Sequence, residues 1–253
     1  MPSPRLCLLL LSATLSFLGA AEPAPGTVDA KTVAELVAVP PTTPNKGFNE
    51  KLEQAVAAFE AKDKTAPPAP NTIEFIGSST FTRWGSLKQD FAPLPVYNRG
   101  FGGSRVEDVL RMVPRIVLPY HPAVIVYYCG DNNLHSPSKP EPEPIVKGFT
   151  DFVAQVHAAL PGTHIIYLSV KPSPRRWPSW AEAQAVNAKV KAFCASDPTL
   201  GFVDIGPTLL NDKGEPDPAL YVEDHLHMTA AGYAKVTALL KPVVEAAWAQ
   251  AKH

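Results

Sequence analysis

Ala123-Val124-Ile125-Val126-Tyr127-Tyr128-Cys129, followed at once by Gly130-Asp131-Asn132-Asn133, is the stretch that decides the fold. An unbroken apolar run rich in β-branched and aromatic residues suits a strand covered on both faces, as in a parallel sheet. Working outward, Ile73–Ile76, Pro95–Asn98, Ile165–Val170 and Gly201–Asp204 are further short runs, each closed by a loop with Gly, Ser or Pro. Between and around them, helical spacing predicts helices over Phe48–Lys62, Val106–Ile116, Ile145–Ala159, Trp180–Ala195 and Thr229–Ala249, with Pro242 expected to kink the last. Strands alternating with helices predict parallel strands in a doubly wound α/β domain.

The 253 residues suffice for one such domain. An apolar share of 45% argues against disorder. A net charge of -1 without long runs of one sign gives no reason to expect nucleic-acid binding. Residues 1–21 read as a signal peptide, with Arg5 as the positive region, Leu8 to Leu18 as the apolar region and Gly19-Ala20-Ala21 as the cleavage site. The apolar region is short for a membrane span, so a secreted or periplasmic protein without stable membrane insertion is expected. Residues 22–46 are a Pro/Ala-rich linker, and residues 47–253 form the domain with its N-terminal helix. Cys129 and Cys194 both fall in apolar patterns, which fits buried free thiols better than a disulfide framework.

In a parallel sheet, ligands bind beyond the carboxyl ends of the strands, so residues just after each strand carry the functional signal. After the first strand stands Gly77-Ser78-Ser79-Thr80, where a serine can either present its hydroxyl or cap the next segment. After the second stands Gly100-Phe101-Gly102-Gly103-Ser104, whose glycines leave backbone N–H groups open to developing negative charge. Ser104 and Glu107 have the spacing of a capping box. After the third, Asn132 can donate to an oxyanion or form an Asx-type turn. Near the C-terminus, Asp224 precedes His227 by three residues in a turn. Such a carboxylate can hold one ring nitrogen and leave the other to take a proton from a serine. Asp224, His225 and His227 are also possible metal ligands, but no second cluster with ligand spacing accompanies them in the sequence.

Taken together, the order and content of these four blocks resemble the SGNH (GDSL-type) serine hydrolases, over Ile73 to about Trp248. The resemblance implies a flavodoxin-like three-layer α/β/α fold with a central five-stranded parallel sheet. It implies Ser79, Asp224 and His227 as catalytic residues. The oxyanion hole would comprise the Ser79 and Gly103 N–H groups with the Asn132 side chain. It also implies an esterase needing no cofactor and no metal, acting on small-molecule or carbohydrate esters. Two positions depart from the family pattern: Ser78 stands where Asp is usual, and Asn133 replaces the final Asp of the third block. Lys171-Pro172-Ser173-Pro174 and Tyr221–His227 resemble a bacterial branch of the family.

Arg176, Trp177 and Trp180 follow the fourth strand and are candidates for substrate binding, the indole faces suiting sugars or acyl chains. The alternative for the tryptophans is packing beneath a Pro-rich loop. A non-catalytic carbohydrate-binding module on the same fold is the competing functional class. Serine chemistry predicts ester hydrolysis that is indifferent to EDTA; activity lost on chelation and regained with metal would favour the metal-site reading instead.

Overall fold

A computed structural model describes residues 50–135 and 141–251. The proposed signal peptide and linker lie outside the described residues. Helix α1 (Glu50–Asp63) leads into β1 (Ile73–Gly77), the short helices α2 (Ser79–Thr82) and α3 (Leu87–Asp90), and β2 (Val96–Gly100). There follow α4 (Val106–Ile116), β3 (Val124–Tyr128), α5 (Pro142–Ala159) and β4 (His164–Leu168). The chain closes with α6 (Trp180–Cys194), β5 (Leu200–Val203) and α7 (Ala230–Ala251), which includes Pro242. The five strands pair in parallel in the order β2-β1-β3-β4-β5.

Strand periodicity explains why β3 is apolar throughout. Ile125, Tyr127 and Cys129 join one core cluster with residues of α1, α4, α5 and α6. Val124, Val126 and Tyr128 join the other, with the β1–α3 aromatics and the inner face of α7. Alternate side chains thus face opposite layers, and both layers bury them. Cys129 and Cys194 are both free and buried.

The five expected strands and five long helices all form, with ends shifted by a few residues at most. The two short helices escape sequence periodicity because four residues barely complete one turn. The expected Ser104–Glu107 capping box does not form. Arg105 is still extended, with φ -104° and ψ 171°, so α4 begins one residue later. The Arg105 N–H donates to the Asp108 carboxylate at 2.9 Å, and the Val106 N–H donates to Oδ1 of Asn133 at 3.1 Å. Asn133, at one of the two positions that depart from the family pattern, therefore caps the neighbouring helix.

Helix α1 is fastened to the α4 side of the sheet by charge as well as by Leu52 and Val56. Arg115 pairs with Glu60 and Glu53, each at 2.7 Å, and the buried Arg99 pairs with Asp63 at 2.5 Å.

The chain order reverses at β1, which has β2 on one side and β3 on the other. Loops leaving β1, β2 and β3 consequently open at one crevice. Gly77 makes this crossing possible. Its φ is +143°, and a Cβ there would lie 1.9 Å from the carbonyl oxygen of Tyr128. Gly77→Ala is expected to cost about 3 kcal/mol or more, from backbone strain and overlap combined. Urea or thermal unfolding measures this directly, and a variant as stable as wild type would contradict the packing described.

Candidate active site

Ser79 is the first residue of α2, directly after the Gly77–Ser78 turn. Its neighbours anchor it. Thr80 and Phe81 are buried, Phe81 packs edge-on against Phe75 at 5.3 Å, and the Tyr233 hydroxyl donates to the Thr80 carbonyl at 2.8 Å. With both following residues held inward, the half-buried Ser79 hydroxyl faces the crevice.

The loop before α7 supplies its partner. Nε2 of His227 lies 2.9 Å from Oγ of Ser79, and Nδ1 lies 2.5 Å from Oδ2 of Asp224. Oδ1 of Asp224 accepts the N–H groups of Leu226 at 3.0 Å and His227 at 2.9 Å. One carboxylate thus shapes the turn with one oxygen and orients the imidazole with the other. An anionic Asp224 requires the proton on Nδ1, which leaves Nε2 as an acceptor for the Ser79 hydroxyl.

Electrostatics agree with that tautomer. Burial is the largest single influence on Asp224 and raises its pKa, but the donated hydrogen bonds from His227 and Leu226 outweigh it. The carboxyl is held well below its usual range. For His227, burial acts first and lowers the pKa, aided by the positive charges of Arg83 and Lys171 and opposed by Asp224. The net shift is downward, so the imidazole is neutral at neutral pH.

The oxyanion candidates lie around the same serine. A Cβ on Gly102 would come within 3.6 Å of the Ser79 Cβ, so the glycine loop runs beside Ser79. Gly103 adopts φ +90° with open space about it, a conformation that favours glycine. Among the described residues, the N–H groups of Ser79 and Gly103 have no protein acceptor. The Asn132 amide is engaged: Nδ2 donates to Oγ of Ser78 at 2.8 Å and to the Ser104 carbonyl at 2.9 Å. Ser78, the other departure from the family pattern, is fully buried and belongs to this network.

Arg176, Trp177 and Trp180 lie in and just after a six-residue 3₁₀ segment, Pro174–Ser179. Arg176 donates from Nη2 to Oδ1 of Asn132 at 2.9 Å and from Nη1 to the Asp131 carbonyl. The Trp177 and Trp180 rings stack with centroids 6.0 Å apart. Trp180 also lines a groove of about 280 Å³ with Gln184, Phe202, Asp204 and Pro207 along β5. Neither Ser79 nor His227 is part of that lining.

Three residues near the triad carried no assigned role in the sequence. Lys171 is buried and donates to the Leu226 carbonyl at 2.9 Å, and burial pushes its ammonium down to about 8. The Tyr221 hydroxyl donates to the Pro172 carbonyl at 2.5 Å. Arg83, mostly exposed, stands 4.0 Å from Oδ2 of Asp224. A lysine at a strand end inside an otherwise apolar run was the available signal for the first. Nothing local marks the other two. His225 is exposed in a left-handed turn, with φ 57°. Among the described residues, no three His, Cys, Asp or Glu side chains group as metal ligands.

The geometry now meets its relatives. The model of the GDSL-like lipase/acylhydrolase family matches residues 72–235, and the chain belongs to that family. Solved structures share the fold. A GDSL-like lipase of Bacteroides thetaiotaomicron is 19% identical, with TM-score 0.67 and coverage of 76% of this chain and 98% of the other. A Streptococcus pneumonia protein provisionally assigned as a platelet activating factor is 20% identical, with TM-score 0.68 and coverage of 77% and 92%. The acetylxylan esterase Axe2 of Geobacillus stearothermophilus is 15% identical, with TM-score 0.55 and coverage of 68% and 93%. No curated protein is significantly similar in sequence. The sheet order and flanking helices are those of an SGNH hydrolase, and family membership makes the chain a hydrolase of the esterase type. Among the described residues, no helix is long and apolar enough to cross a membrane.

The lowered His227 pKa predicts that its imidazole titrates with a midpoint below the ordinary 6.5. Because Arg83 contributes to that lowering, Arg83→Gln should move the midpoint upward. Proton NMR of the ring as a function of pH checks both. A wild-type midpoint above 6.5 would contradict the account of a buried, neutral base.

Proposed function

We propose that the protein is an exported serine esterase that cleaves short-chain acyl esters through an acyl-enzyme on Ser79. The observation that carries this reading is the unbroken relay from Asp224 through His227 to the Ser79 hydroxyl, at 2.5 and 2.9 Å. Both contacts have hydrogen-bonding length, and the base is in the tautomer that acyl transfer needs.

His227 removes the Ser79 proton as Oγ attacks the ester carbonyl, and the carbonyl electron pair moves onto oxygen. The N–H groups of Ser79 and Gly103, together with Nδ2 of Asn132, stabilise that oxyanion. The hydrogen that Asn132 gives to Ser78 in the resting site is the one available to it, since a serine hydroxyl can turn and accept elsewhere. Collapse of the intermediate breaks the bond to the alcohol, which leaves with the proton from His227. Water then repeats the sequence: His227 takes its proton, the acyl carbon gains a hydroxyl, and Ser79 recovers its hydrogen.

For substrate class, the reading extends to acetyl esters of carbohydrate. The fold likeness to an acetylxylan esterase supports it, as does the stacked Trp177–Trp180 pair beyond β4, whose flat faces suit sugar rings. The residue pattern at the N-terminus supports action after export.

Ser79→Ala should reduce hydrolysis of p-nitrophenyl acetate, and acetate release from acetylated xylan, to the uncatalysed background. If wild type is as inert as the variant, while still binding xylan, a carbohydrate-binding module replaces the enzyme reading. Asn132→Ala should lower kcat by on the order of a hundredfold or more with little change in KM, as expected for a lost oxyanion donor. An unchanged kcat would remove Asn132 from the mechanism.

A further inference from the structure

We infer that Arg176 is a positioning residue of the oxyanion site, holding the Asn132 amide with its nitrogen end toward the nucleophile. This rests on the esterase reading above and deepens it. An asparagine side chain is nearly symmetric in shape, and a half-turn about its last bond exchanges a donor for an acceptor. Presented nitrogen-first, it stabilises an oxyanion; presented oxygen-first, it repels one.

Two neighbours decide which end faces which way. Guanidinium is a donor only, so the atom 2.9 Å from Nη2 of Arg176 must be Oδ1. The Ser104 carbonyl is an acceptor only, so the atom 2.9 Å from it must be Nδ2. The Ser78 hydroxyl can donate or accept, so it is indifferent to the choice. Arg176 is the charged one of the two discriminating partners, and hydrogen bonds from ions are about twice as strong as neutral ones. It also grips the loop backbone through the Asp131 carbonyl, so its two terminal nitrogens hold consecutive residues. A lysine ammonium cannot reproduce that planar, two-pronged geometry.

The segment bearing Arg176 also touches the loop that carries His227. The Arg175 N–H donates to the His225 carbonyl at 3.0 Å, and the Arg176 N–H meets the buried Ser173. The turn after β4 therefore braces the third-block asparagine on one side and the His227 loop on the other.

The test is steady-state kinetics on p-nitrophenyl acetate with thermal unfolding as a control. Arg176→Ala should lower kcat by about tenfold to a hundredfold, less than outright loss of an oxyanion donor, with KM nearly unchanged. Arg176→Lys, able to satisfy one oxygen at a time, should fall between wild type and Arg176→Ala. If Arg176→Ala does not fold, the Lys variant alone decides by its kcat against its KM. In an Asn132→Ala background, the second substitution should cost less than about twofold, because nothing is left to orient. A raised KM with kcat intact would make Arg176 a substrate contact and overturn the inference, as would an undiminished effect in the Asn132→Ala background. Inactive wild type would sink the esterase reading and this inference together; active wild type with unchanged Arg176 variants would sink only the inference.

Discussion

The closeness of β1 to β3 at the Gly77–Tyr128 crossing is the constraint on which the rest of this structure depends. A side chain at residue 77 would overlap the Tyr128 carbonyl, and only glycine tolerates the backbone angle adopted there. With that Cβ absent, the chain turns sharply and the Ser78 N–H reaches the same carbonyl at 3.0 Å. Ser79 then emerges where three loops meet.

Beyond that crossing, the Asp224–His227 pair balances burial against hydrogen bonding. Burial alone would raise the pKa of a carboxyl and lower that of an imidazole, and both effects operate on the Asp224–His227 pair. For the aspartate, hydrogen bonds donated by the loop it organises reverse the effect of burial. For the histidine, neighbouring cations reinforce it. The outcome is an anion beside a neutral ring. The loop carrying both residues is braced from β4, by Lys171 on the Leu226 carbonyl and by Tyr221 on the Pro172 carbonyl.

The sheet was largely legible because its signal is local. Uninterrupted apolar runs such as Val124–Tyr128 can be solvated on neither face, and they can be recognised without knowing their partners. Helix α4 was legible in its length but not in its cap. Its acceptor, Oδ1 of Asn133, comes from a loop that follows the helix by a whole strand, and Ser104 lost to Arg105 because the chain stayed extended for one residue more. Three blocks of the site could be picked out by their positions after strand ends, and the fourth by its Asp224–His227 spacing just before the last helix. Arg176 could not be placed from its neighbours in sequence, since a charged residue in a Pro-rich loop reads equally well as a solvent-facing or ligand-facing group.

What the sequence determined by itself is the set of strands, the turn chemistry after each, and the residue types available for proton transfer. These follow from periodicity and from the geometry of a carboxylate three residues before a histidine. Tertiary structure alone decided that His227 meets Ser79 across 148 positions of chain, which end of the Asn132 amide meets Ser78 and Ser104, and that Arg176 binds protein oxygens. Each depends on atoms from separate loops arriving within about 3 Å of one another. Such distances are set by how strands order and pack, and no short stretch of sequence encodes them.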